Sequence, residues 1–200
     1  MAARRSRYRS LDSLQRENRR CRACADAGFP LESRPVFEGR SGQSAYLLGQ
    51  APGPVEGVEL RPWRGRAGQT LRRWLGLDEA TFYATFYCAS VTRCDPGRAP
   101  TGRGDRTPTQ AEQRLCEFWR DRELELLRPR LVVTVGGLAL RRLLGLTSLT
   151  AAIGKTFALG DAVVVPLPHP SGASGWLNQP ANKDRLAVAL RLLRDELRRL

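Results

Sequence analysis

The 200-residue chain has one histidine, His169, and only two lysines, Lys155 and Lys183. Any chemistry that needs an imidazole therefore rests on a single residue. No apolar run approaches the roughly 20 residues that a membrane-spanning helix needs, so no span is expected. The basic amino terminus, Met1 to Arg9, has no apolar stretch behind it and does not read as a secretory signal. A cytoplasmic protein is expected. Only one Cys-x-x-Cys pair occurs, Cys21 and Cys24, which argues against a zinc ribbon. Gly154-Lys155-Thr156 has the tail of a Walker phosphate loop, but residue 149, where that motif requires glycine, is leucine.

Positive charge is abundant. Lys and Arg number 33 against 20 acidic residues, a net charge of +13. A domain this basic suits a polyanion, and nucleic acid is the first candidate. The preference for arginine fits bidentate phosphate contacts and equally a GC-rich genome. Codon bias does not explain the size of the net charge. Five cysteines, Cys21, Cys24, Cys88, Cys94 and Cys116, read in a cytosolic chain as metal or cluster ligands before disulfides.

The length suits one domain with a real core. A short helix through Leu11 and Leu14 opens residues 1–43, an arm that carries two of the cysteines. Apolar strands are expected at Ala45–Leu48, Thr81–Val91, Leu131–Val135 and Ala162–Val165. Helices are expected at Gln69–Leu75, from Thr109 to Leu127, at Leu138–Leu144 and from Lys183 to Leu200. Thr109 and Glu112 form a capping box for the second of these. Leu186, Leu190, Leu193 and Leu197 set the stripe of the last. Residues 95–108, rich in Pro, Gly and Arg, read as a loop. Strands alternating with helices predict an α/β fold: one three-layer α/β/α domain spanning residues 1–200, around a mainly parallel four-stranded sheet.

In such a sheet the carboxyl ends of the strands face one crevice, where ligands bind. Four segments would meet there: Gly49-Gln50, Ser90 to Cys94, Gly136-Gly137 and His169-Pro170-Ser171. Gln50 can hold a water or an amide edge. His169, fixed by prolines on both sides, can donate to an oxygen that gains negative charge; it can equally just satisfy a turn. Trp63, set in Arg61-Pro62-Trp63-Arg64-Gly65-Arg66, has the flat face and positive setting of a base-stacking platform. Alternatively it is a lid on the core.

Together these segments resemble the iron–sulfur, family 4 type of the uracil-DNA glycosylase superfamily, from Cys21 to the final helix. That family has Gly-Glu-Ala-Pro-Gly after the first strand, where this chain has Gly49-Gln50-Ala51-Pro52-Gly53 with Glu56 close behind. It has an aromatic that stacks on the extruded base, where this chain has Trp63. A His-Pro-Ser motif ends the fourth strand in both. The resemblance implies a 4Fe-4S cluster on Cys21, Cys24, Cys94 and Cys116, with Cys88 a buried small hydrophobe. The chain departs from the family at Gln50, where the family has Glu, and at Ser90, where it has Asn. The tail after Ser171 is closer to the mismatch-glycosylase branches.

The activity implied is removal of uracil, or another deaminated base, from DNA after base flipping. Trp63 would stack on the base, with Ser90 and the backbone near Gln50 reading its edge. His169 would stabilise the leaving group and Gln50 would hold the water. Ser171 and the loop Gly172–Leu177 would contact phosphate, with Trp176 or Leu177 as a wedge. Arg64 and Arg66 would bind phosphates. No lysine sits at these motifs, so a Schiff-base lyase step is not expected. A monomer working on damaged DNA is expected. The alternatives are a noncatalytic DNA-binding protein on this fold and a hypoxanthine or xanthine glycosylase.

Overall fold

Side-chain alternation in the strands decides the architecture. In β1 (Ala45–Gly49), Ala45 and Leu47 face one apolar cluster, while Tyr46 and Leu48 face another. The same split recurs in β2 (Phe86–Ser90), β3 (Leu131–Val135) and β5 (Ala162–Leu167). A sheet buried on both faces needs a helical layer on each. The computed structural model, which describes residues 8–101, 104–171 and 175–200, has that arrangement.

The strand order is β2-β1-β3-β5-β4. The first four are parallel neighbours, and β4 (Phe157–Leu159) runs antiparallel on the edge beside β5. The described sheet therefore has five strands, not the four expected. Three residues are too few to show a period. The missed signal was the two-residue turn Gly160-Asp161 between the paired residues Leu159 and Ala162, with Gly160 at φ +57°, which is hairpin chemistry.

The helices, in chain order, are α1 (Leu11–Arg19), α2 (Ala23–Asp26), α3 (Pro54–Glu59), α4 (Arg66–Leu75), α5 (Glu79–Thr85), α6 (Gln110–Leu127), α7 (Gly137–Leu144), α8 (Leu149–Ala152) and α9 (Pro180–Arg198). Helix α6 starts where its capping box puts it. The Thr109 N–H donates to Glu112 Oε2 at 2.6 Å, and the Glu112 N–H returns to Thr109 Oγ1 at 3.3 Å. The strand expected over Thr81–Val91 is a correction. Its first half is α5, capped by Asp78, whose Oδ1 accepts from the Thr81 N–H at 2.7 Å. Asp78 and Glu79 outweighed the aromatic, β-branched composition. Helix α9 begins at Pro180, three residues earlier than expected, because proline is suited to a first helical turn.

The arm lies against the sheet. Glu38 exchanges both backbone hydrogen bonds with Cys88, at 3.0 and 2.7 Å, covering the free edge of β2. Leu14 of α1 and Trp119 of α6 pack in one buried cluster with Cys116. Among the described residues, no helix is long and apolar enough to cross a membrane.

Candidate active site

Gly49 and Ser90, the last residues of β1 and β2, are register partners. Gln50 follows the first. Val135 and Leu167, the last of β3 and β5, are also partners, and His169 stands two residues beyond. The Gly136 N–H donates to Leu167 O at 2.9 Å, tying the two ends together. Gln50, Ser90 and His169 consequently line one cavity of about 80 Å³, with Trp63 as a wall. The larger hollow, at Arg40–Ser44 and the end of α9, contains none of these residues.

Trp63 is held in an unusual backbone state, φ +62°. Its carbonyl accepts from Arg72 Nη1 at 2.9 Å. A side chain on Gly68 would stand 1.7 Å from that carbonyl, and one on Gly49 would stand 2.9 Å from the indole. Both positions are thus restricted to glycine, and the indole lies flush against the end of β1. It is buried, yet its Nε1 has no partner among the described residues. Its plane is tilted 35° from the His169 ring at 6.4 Å.

The imidazole of His169 is oriented from one side. Its Nδ1 lies 3.3 Å from the Ser171 backbone N–H and 2.7 Å from Ser171 Oγ. A backbone N–H can only donate, so Nδ1 accepts and the proton sits on Nε2. Burial lowers the pKa of the ring below its ordinary value, against the opposing pull of Glu56. The neutral ring therefore has one N–H to offer. Ser171, expected on a phosphate, is engaged here as the partner of His169.

Two carboxylates line the cavity that the sequence reading gave no role: Glu56 and Asp105. Glu56 is a clamp. Its Oε2 accepts from the Gly53 N–H at 3.1 Å and its Oε1 from the Gly65 N–H at 2.8 Å. It thereby joins the turn after β1 to the loop that carries Trp63. The sequence hint was a glutamate three residues after Gly53, at the start of α3. Asp105 lies in the Pro- and Gly-rich loop and gave no signal.

Four of the cysteines approach one another from three segments. The Cys24 thiol is pushed up to about 11 by burial, then by Cys116, Cys21 and Glu112. Cys94 rises to about 12 through burial and Cys116, with Cys21 and Cys24 adding to it. Two sulfurs receive backbone donors: Cys116 from Arg93 at 3.3 Å, and Cys94 from Arg34. Cys88 is apart from them, fully buried inside β2. Among the described residues, no three His, Cys, Asp or Glu side chains are gathered as a site for one metal ion.

The model of the family described as "Uracil DNA glycosylase superfamily" matches residues 38–194, most of the chain and every strand. The chain belongs to this superfamily. Among its relatives, the type-4 uracil-DNA glycosylase of Archaeoglobus fulgidus is 30% identical over 174 residues, covering 81% of this chain and 82% of the relative. That of Sulfurisphaera tokodaii is 27% identical over 177 residues, covering 82% and 76%. That of Thermotoga maritima is 30% identical over 139 residues, covering 68% and 69%.

The remaining expected site residues of this superfamily member do not line the cavity. Arg66 is exposed at the start of α4. Arg64 is committed to ion pairs, at 2.6 Å to Glu59 and more closely to Glu79. Trp176 and Leu177 lie in a 3-10 turn and pack against the core. The indole N–H of Trp176 donates to Thr150 Oγ1 at 2.9 Å. Both are half-buried rather than projecting. Of the loop Gly172–Leu177, residues 172–174 lie outside the described residues, as do residues 1–7 of the amino terminus.

Proposed function

We propose that the chain is a monofunctional uracil-DNA glycosylase that hydrolyses the N-glycosidic bond of uracil in DNA. The observation that carries this reading is the small cavity at the strand ends. A fixed aromatic wall, a hydroxyl and one oriented imidazole N–H meet there in a superfamily member. About 80 Å³ suits a flat single-ring base better than a drug-sized ligand. The base reaches it by leaving the stack. Trp63 stacks on its face, and Ser90 with the backbone near Gln50 reads its edge. His169 Nε2–H meets the base oxygen as negative charge grows. The net charge of +13 favours the DNA backbone, and exposed Arg66 is better placed than Arg64 to contact it. Trp176 and Leu177 reach a duplex only if their turn leaves the core.

The test is a panel of oligonucleotides, each with one uracil, hypoxanthine or xanthine, single-stranded and paired. Uracil release is the expected result. Release of a purine alone would move the substrate assignment, and binding without release of any base would favour the noncatalytic reading.

The donor set also supports a 4Fe-4S cluster on Cys21, Cys24, Cys94 and Cys116. Four thiols, an apolar surround and N–H groups aimed at two sulfurs suit a cluster that takes one thiolate per iron. Such ligands stand further apart than those around one ion. Its role is structural, joining α2, the loop after β2 and α6. Anaerobically purified protein should contain about four irons per chain and be brown. Cys94→Ser should lose the iron while Cys88→Ser keeps it. Stoichiometric zinc in place of iron would overturn this assignment.

A further inference from the structure

Gln50 is a neutral amide, so it can position a water but cannot take its proton. The cavity nevertheless contains two carboxylates. Glu56 spends both oxygens on backbone N–H groups. The Asp105 carboxylate has no hydrogen-bond or ion-pair partner among the described residues, and the residue is exposed while lining the cavity. Its Oδ2 lies 3.2 Å from the point where a Cβ on Gly53 would stand, which puts it over the turn that begins at Gln50.

Asp105 and its neighbour Arg106 are each tied to the fold. Asp105 forms an antiparallel bridge with Arg98. Arg106, the next residue, holds Glu112 by two parallel hydrogen bonds of 2.9 and 2.8 Å and Pro96 O at 3.0 Å. Glu112 is buried at the start of α6. The loop is thus anchored to a long helix through the residue beside the free carboxylate. A preorganised anion costs little reorganisation when positive charge forms near it.

We propose that Asp105 supplies the carboxylate that holds and activates the attacking water, a role that Gln50 cannot fill. This rests on the glycosylase reading of the same cavity. In the step, the water oxygen bonds to C1′ of the deoxyribose as the bond from C1′ to the base nitrogen breaks. The electron pair leaves with the base as an anion, which His169 Nε2–H stabilises. The water proton passes to Asp105 and then to solvent or the departing base. Free base and an abasic sugar remain, and nothing is oxidised or reduced.

The residue is exposed overall, but partial burial at the cavity edge raises the Asp105 pKa above the ordinary aspartate value, and the Asp95 and Glu56 charges raise it further, against Arg98. The charged groups around it are therefore Asp95, Arg98 and Glu56, with His169 across the cavity. A base of raised pKa loses activity as pH falls through that raised value, so the acid limb should lie higher than for a free aspartate.

The experiment measures single-turnover uracil release from pH 4 to 8 by the full chain, Asp105→Asn, and Asp105→Asn with Gln50→Glu. Asp105→Asn should be slower by roughly 10²-fold or more at pH 7, the scale of a lost general base, and its acid limb should move, leaving only the limb set by His169. Adding Gln50→Glu should restore about tenfold or more, because a carboxylate returns to the water from the neighbouring turn. A parental rate in Asp105→Asn, a slowed rate with the acid limb unmoved, or no recovery in the double variant each overturns the assignment. If the full chain releases no uracil, the glycosylase reading itself fails and this assignment falls with it. An active chain with an active Asp105→Asn overturns only Asp105.

Discussion

His169→Ala is expected to slow single-turnover uracil release by roughly 10²–10³-fold, the scale of a lost oxyanion donor, while affinity for uracil DNA stays within about threefold of the parent. The reason is where the charge lies. Breaking the N-glycosidic bond leaves a base anion that is absent from the bound ground state. A donor that meets this charge stabilises the transition state and adds little to binding. The structure supplies one such donor. Ser171 occupies Nδ1 through its backbone N–H and hydroxyl, which leaves the proton on Nε2. Burial lowers the ring's pKa below its ordinary value, which favours the neutral donor and leaves little charge to attract phosphate in the ground state. Gel-shift affinity and quenched-flow release, measured on the same oligonucleotide, separate the two effects. A parental release rate would reduce His169 to a turn residue and move leaving-group stabilisation to backbone amides near Gln50.

The convergence of this site was legible because strand ends are written in strong signals. Gly49 closes an apolar run before a Pro- and Gly-rich turn, and His169 stands between two prolines. Parallel pairing then does the rest: Gly49 with Ser90, and Val135 with Leu167, fall at one edge by register. Helix α6 was equally legible, because its capping box uses side chains only three residues apart. Where the reading erred, tertiary context opposed composition. Thr81 to Thr85 are strand-like residues, but Asp78 caps them as a helix that packs Phe82 and Tyr83 into the core. Asp105 was hidden for a different reason. An aspartate in an arginine-rich loop resembles any solvated charge until the fold lays that loop over the turn after β1. Arg64 shows the reverse. Its setting suggested phosphate, and Glu59 and Glu79 claim its guanidinium.

Arg93 and Glu123 were invisible in the sequence for the same reason, and the second large effect is expected there. Both are buried, 1% exposed at the side chain, and paired at 2.6 Å between β2's following loop and α6. Tyr46 OH donates to the same carboxylate oxygen at 2.6 Å. Burial opposes the Arg93 charge, but Glu123 beside it holds the guanidinium above its ordinary pKa. Glu123→Ala leaves that cation buried and unpaired, which should destabilise the fold by about 3–5 kcal/mol. The denaturant midpoint should fall with little change in slope. Replacing both partners by methionine should recover much of this loss, since the buried pair itself adds little over apolar packing. Function need not recover with it. Arg93 Nη1 also donates to the backbone carbonyl of Ser90, and the Arg93 N–H reaches Cys116 Sγ. The cavity end of β2, at Ser90, and the grouped cysteines thus share one arginine. The double variant should fold nearly as well as the parent yet release uracil more slowly, because Ser90 has lost the group that fixes its backbone. A parental midpoint in Glu123→Ala would show that the pair adds nothing to the fold. A parental rate in the double variant would show that Ser90 is set by β-sheet register alone.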